Sequence, residues 1–148
     1  MGVPEKALIK GDRIIELIPQ RSPFIFIDTF YGEYQGLFYS GFTPQPDSCF
    51  VKDGIMAEPG VIENMAQTAA AATGWSYRER GEDVPVGFIG AVADFELSKL
   101  PVTGFEIKTS VRFAGEFGGI SLVEAVSIQG DEPIAKGMLK IFINNNEQ

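Results

Sequence analysis

The sequence predicts an α+β domain in which a curved antiparallel β-sheet wraps one long central helix. Three observations predict it. One long run of helix formers, from about Pro59 to Arg80, carries five alanines between Ala66 and Ala72. Four strand-like runs follow, Val86 to Leu97, Phe105 to Phe117, Ile120 to Gln129 and Ile134 to Ile143. Gly118-Gly119 and Gly130-Asp131 punctuate two of their junctions as hairpin turns, which makes the runs antiparallel. The 148 residues favour one domain, with residues 1–11 as an N-terminal arm and 144–148 as a polar tail.

The elements follow in order. Asp12 to Ile18 reads as a short helix, with Asp12 as its cap and Pro19 as its stop. After a turn ending at Pro23, a strand is expected from Phe24-Ile25-Phe26-Ile27-Asp28 on to Tyr34, and another from Gly36 to Phe42. Pro44 to Asp53 reads as loop. Pro59 suits the first turn of the long helix, where its missing N–H has no partner to lose. From Met65 to Trp75 apolar and small residues surround that helix, which predicts burial on most sides. Alanine and Gly74 keep it thin, so a sheet can approach closely. Gly81 can cap its end. Ile107, Thr109, Val111 and Phe113 alternate with Lys108, Ser110 and Arg112, so one face of that strand is expected to be wet. Such a sheet leaves an edge strand open, and pairing it with a second copy predicts a homodimer.

Composition excludes several function classes. Twelve Lys+Arg against 20 Asp+Glu give a formal charge of −8, which opposes nucleic acid and anionic membrane surfaces. One cysteine excludes an internal disulfide framework. There is no histidine, so a Ser-His-Asp triad, a Cys-His pair and a His-based zinc site are excluded by counting. Neither a metal nor a cofactor is expected. The N-terminus lacks the apolar core of a signal peptide, and Val61 to Trp75 is too short and polar for a membrane span, so a cytoplasmic protein is expected.

Without histidine, carboxylates and the cysteine are the candidates. Glu63 stands near the helix start, between Ile62 and Met65, in the least polar stretch of the chain. A carboxyl in such surroundings can donate or receive a proton. The plain alternative is a solvated glutamate serving only the helix dipole. Gln67 follows at i+4 and shares its face. Cys49 lies in the loop before the helix with only Lys52 as a nearby cation, and reads either as a reactive thiol or as a small apolar filler. Arg78 and Arg80 read as a solvated, dipole-compatible helix end that can also meet an anionic partner.

Three segments taken together resemble a known family. Ile14-Ile15-Glu16-Leu17-Ile18-Pro19-Gln20-Arg21-Ser22-Pro23-Phe24-Ile25-Phe26-Ile27-Asp28 resembles the opening motif of the hotdog-fold 3-hydroxyacyl-(acyl-carrier-protein) dehydratases. Ile62-Glu63-Asn64-Met65-Ala66-Gln67 resembles the family's central-helix motif. Gly87-Phe88-Ile89-Gly90 to Phe95, then Leu100-Pro101-Val102-Thr103-Gly104, resembles the strand lining the acyl tunnel and the turn after it. The nearest resemblance is to the divergent branch of aryl-polyene-type dehydratases.

The resemblance implies a hotdog domain that handles an acyl thioester, on a carrier protein or coenzyme A, in fatty-acid or polyketide/polyene synthesis. In that family the helix carboxylate acts with a histidine from the preceding loop. Carried across, Glu63 is the catalytic carboxylate and Gln67 its supporting amide. Counting back without gaps places Cys49 at the histidine position; a gapped alignment places it elsewhere. Gln20 stands where the first motif usually has a histidine of its own, taken as structural. Gly60, Val61, Met65, Phe88, Ile89 and Gly90 are the implied substrate-binding residues, and Arg78, Arg80 and Lys99 the candidate carrier-docking cations. Three functions remain open: a dehydratase-type lyase, a non-catalytic acyl-thioester-binding partner subunit, and a hotdog thioesterase.

Overall fold

The structure is a computed structural model and describes residues 4–144. The expected polar tail beyond Asn144, and the first three residues of the expected arm, lie outside the described residues. The rest of the arm does more than trail: Ile9–Lys10 forms a short strand, β1. A 3-10 helix follows at Gly11–Glu16, then strands β2 (Thr29–Tyr34) and β3 (Leu37–Phe42). A small hairpin of β4 (Val51–Lys52) and β5 (Ile55–Met56) interrupts the segment expected to be loop. The long helix α1 spans Glu58–Glu79, and strands β6 (Val86–Leu97), β7 (Ile107–Phe117), β8 (Ile120–Gln129) and β9 (Glu132–Asn144) complete the chain.

Seven strands form one antiparallel sheet in the order β1-β2-β3-β7-β8-β9-β6. The pairing register shifts between Phe30 and Gly32, between Phe113 and Gly115, and twice along β6, and such bulges bend a sheet. The bent sheet holds α1 against its inner face. Val61, Met65, Ala69, Ala71 and Ala72 of the helix pack with Phe30, Ile107, Val111, Val123 and Leu139 in one buried core. Gly118 and Gly119 both take positive φ at the β7–β8 turn, as a two-residue hairpin requires.

Three sequence expectations are corrected here. The first concerns the opening turn. It is a 3-10 helix preceded by Lys10, with no side-chain cap, and Asp12 sits inside its first turn rather than capping it. The second concerns Phe24 to Asp28, which is outside any strand; β2 starts at Thr29. The physical reason is that α1 side chains take the place of a ladder partner. The Phe26 N–H donates to Gln67 Oε1 at 2.7 Å, and the Phe26 carbonyl accepts from Asn64 Nδ2 at 2.8 Å. The Phe24 carbonyl accepts from Gln67 Nε2 at 3.0 Å. Phe113, expected on the dry face of β7, is exposed, because the sheet there runs beyond the core and shifts register.

Candidate active site

Glu63 lies in the second turn of α1. Its neighbours on that face, Ala66, Ala70 and Thr73, are small and half-buried, and with Ala69 they form one wall of a cleft of about 560 Å³. A second stretch of the lining comes from Leu17 to Gln20, just after the 3-10 helix. The start of the edge strand β6 supplies Gly87, Phe88 and Ile89, and β9 supplies Ile141. A cleft of this size, mostly apolar with few polar groups, suits an extended acyl chain.

Gly74 explains how the second wall reaches the helix. A Cβ there would meet the Leu17 carbonyl oxygen at 2.5 Å, which is backbone and cannot swing away. Only glycine lets the Leu17 backbone rest against α1 at this height. That contact places Ile18, Pro19 and Gln20 beside the Glu63 face.

The carboxyl itself is held. Gln67 Nε2 donates to Glu63 Oε1 at 3.2 Å, one helical turn away. Gln67 is fully buried, and its two bonds to Phe24 and Phe26 fix its amide orientation. Glu63 is half-buried and lines the cleft. Behind it runs a buried polar chain that sequence reasoning missed. Thr109 Oγ1 donates to Asn64 Oδ1 at 2.6 Å and meets Ser127 Oγ at 2.7 Å. Thr68 Oγ1 donates to the Asn64 carbonyl at 2.7 Å and meets Ser40 Oγ at 2.6 Å. These residues sit on separate segments of the chain, so no local signal joins them; Asn64 within an apolar helix stretch was the available clue.

The remaining expected site residues divide. Phe88 and Ile89 line the cleft with Glu63. Gly60, Val61 and Met65 are instead buried on the core side of the helix start, where the absent Gly60 Cβ leaves room for the Met56 side chain. Gly90 makes room for the Phe142 ring and is not among the cleft walls. Cys49 is half-buried against the hydrophobic core, as an apolar filler would be.

The three candidate docking cations do not form one patch. Arg78 pairs with Glu16 at 3.4 Å, at roughly 22 Å along α1 from Glu63 for a rise of about 1.5 Å per residue. Arg80 pairs with Glu82 at 3.1 Å and lies 4.3 Å over the Tyr77 ring. Lys99 pairs with Glu132 at 3.5 Å, beyond the far end of β6 from the Gly87–Ile89 wall.

Gln20 also lines the cleft; its side-chain amide makes no hydrogen bond to any described residue, and its Oε1 is closed from solvent without a partner. No helix among the described residues is long and apolar enough to cross a membrane.

Comparison with known proteins agrees with the fold. The dehydratase heterocomplex ApeI:P from Xenorhabdus doucetiae is similar over 90% of this chain and 91% of its own, with a TM-score of 0.80 and 16% identity. The uncharacterized protein PH1136 from Pyrococcus horikoshii is similar over 99% and 98%, with a TM-score of 0.66 and 10% identity. A hypothetical thioesterase with coenzyme A from Streptococcus pneumoniae is similar over 80% and 87%, with a TM-score of 0.62 and 8% identity. No curated protein matches. These likenesses establish the hotdog fold, with its seven-stranded antiparallel sheet around one long helix. Residues 12–148 match the family described as ApeP-like, ApeP dehydratase, and the chain belongs to that family.

Proposed function

We propose that this protein is a 3-hydroxyacyl-thioester dehydratase in which Glu63 is the proton-transfer group. The observation that carries the reading is the Glu63–Gln67 pair: a carboxyl held by a buried amide on a mainly apolar cleft of acyl-chain size, whose other carboxyl, Glu16, is paired with Arg13 and Arg78, in a chain without histidine. The Glu63 carboxylate takes the proton from Cα of the substrate. That electron pair becomes the Cα=Cβ bond, and the Cβ–O bond breaks. The departing hydroxide receives the proton from Glu63, so water and enoyl thioester leave and the carboxylate is restored. Gln67 orients the carboxyl through both transfers.

The apolar walls Ala66, Ala70, Ile89 and Ile141 take the acyl chain, and water exclusion there strengthens the polar interactions at Glu63. The thioester handle is coenzyme A or a carrier-protein pantetheine, of the kind used in fatty-acid or polyketide synthesis. Arg78 and Arg80, at the same end of α1, are the cations offered to an acidic carrier. The open edge β6, with Phe88 56% exposed, is the surface through which the protein pairs with a second subunit.

A second reading has one observation in its favour. The total absence of histidine suits a subunit that binds the acyl thioester and leaves proton transfer to a homologous partner; a solved structure of the same fold is a dehydratase heterocomplex.

One experiment separates the readings. The purified protein is given 3-hydroxyacyl thioesters on coenzyme A and on a carrier protein, and enoyl product and free thiol are followed by mass. Enoyl formation that falls about 10²–10⁴-fold in Glu63→Gln is the expected result. Tight acyl binding with no turnover means the partner-subunit reading, and free thiol without enoyl product means a thioesterase.

A further inference from the structure

We infer that the acyl cleft continues past Thr73 into a second hollow, which takes the far end of a long acyl chain. The inference rests on the acyl-thioester reading of the cleft and adds where a long chain goes.

The second hollow has a volume of about 420 Å³. Thr73 lines both it and the cleft of Glu63. Beyond Thr73 its walls are Ser76 and Tyr77 of α1, Phe38 of β3, Phe113 of β7 and Ser121 of β8.

The helix and the sheet each carry the cleft into the hollow. On α1, Ala66, Ala70, Thr73 and Tyr77 follow one another at three- and four-residue steps, so they share one face. Cleft and hollow therefore succeed one another along that face. On the sheet, Ser121 of the hollow is the cross-strand partner of Ile141 of the cleft. Directly opposite residues point to the same side of a sheet. The two hollows thus meet at Thr73 on the helix and at the Ser121–Ile141 pair on the sheet.

Length decides which chains get there. Glu63 and Thr73 are ten residues apart on α1, about 15 Å, and Tyr77 lies about 6 Å further. A chain placed with its Cα at Glu63 and lying along the helix passes Thr73 only when it is longer than that first span. The back of the hollow is braced to receive it. Phe38 meets Phe113 edge-on at 5.9 Å and Trp75 at 6.4 Å, and Trp75 packs against the core. These rings offer apolar surface to the chain end, while the short side chains of Ser76 and Ser121 leave space between them.

The test is a ladder of chain lengths. Phosphopantetheine amides of straight saturated acids, from six to sixteen carbons and below their micelle concentrations, are titrated by calorimetry into the wild type, Ser76→Phe and Ser121→Phe. Each variant puts a ring into the hollow, one from the helix and one from the sheet, at a position outside the cleft walls. The wild type is expected to gain about 3- to 4-fold in affinity for each added methylene, up to the longest chains. Both variants should follow the wild type for short chains and stop gaining once the chain spans about 15 Å. The longest chains should then bind them about 10-fold or more weakly than the wild type. A wild type that stops gaining at the same length as the variants overturns the inference and leaves the acyl cleft standing. So do variants that gain along the whole ladder as the wild type does. If one variant does not fold, the other decides; failure of both to fold, or equal weakening of short and long chains in both, makes these positions structural and overturns the inference. Binding of no member of the ladder overturns the reading of the cleft itself, and this inference with it.

Discussion

Gln67 joins two parts of the molecule that are 41 residues apart: its oxygen takes the Phe26 N–H at 2.7 Å while its amide nitrogen reaches Glu63 at 3.2 Å. The same side chain closes the opening segment onto the central helix and aims the carboxyl into the cleft. Fold and site therefore share one residue. Gln67→Met keeps the volume but leaves the buried Phe26 N–H unpaired and removes the donor to the part-buried Phe24 carbonyl. The buried group alone costs about 1–3 kcal/mol, so the variant should lose roughly 3–12 °C in melting temperature by calorimetry. At a temperature where it is folded, enoyl formation should fall as well, because Glu63 has lost its orienting donor.

The buried polar chain behind the site should behave as a unit. Thr109→Val removes the donor to Asn64 Oδ1 and the partner of Ser127. The expected cost is about 1–3 kcal/mol in urea unfolding. Ser127→Ala should add less to Thr109→Val than it costs alone, since their shared bond is already gone. Full additivity in a double-mutant cycle would contradict the coupling.

Gly74→Ala reverses the usual helix rule. Alanine is the better helix former by about 0.5–1 kcal/mol, yet its Cβ would meet the Leu17 carbonyl at 2.5 Å. Separating the two segments should cost about 1–3 kcal/mol, the range for overpacking a tight contact. The cleft wall from Leu17 to Gln20 should move with it, so acyl binding weakens in the same variant. A stabilised Gly74→Ala with normal binding would show that the close approach does not set the wall.

Tyr31 gives a pH dependence. Its phenol is pushed up from the usual value near 10, first by burial and then by its 2.6 Å hydrogen bond to Glu106. The folded chain holds this proton more tightly than the unfolded chain. The contribution is therefore whole below about pH 10 and is lost as pH rises beyond it. Tyr31→Phe should make the fall of stability above pH 10 shallower, measured by urea unfolding across the alkaline range. Tyr39, raised by burial, carries part of the remaining slope.

Much of the fold was legible because it is written locally. The strand runs Val86 to Leu97 and Ile120 to Gln129 coincide with β6 and β8, since β-branched residues and glycine turns mark them directly. The alanine-rich helix is displaced by a single residue at each end. Phe24 to Asp28 was not legible: it reads as a strand by composition, but its hydrogen-bond partners are side chains of a helix far along the chain. Within the site, Glu63 stood out as a lone carboxyl in apolar surroundings. The face of the helix did not. Small and apolar residues surround α1, so periodicity gives no reason to place Ala66 and Ala70 on the cleft and Val61 and Met65 in the core. Asn64 was missed as part of the buried polar chain for a related reason: whether an amide is paired depends on neighbours that only the folded chain supplies.

The most direct measurement of the central claim is isotope incorporation at Cα. An enoyl thioester is incubated with the protein in heavy water, and the 3-hydroxyacyl product of the reverse reaction is examined by mass and proton NMR. If Glu63 carries the transferred proton, the wild type will place one deuterium on Cα, and Glu63→Gln will slow this about 10²–10⁴-fold. Equal incorporation by wild type and Glu63→Gln, or none by either with the acyl group bound, would contradict the account.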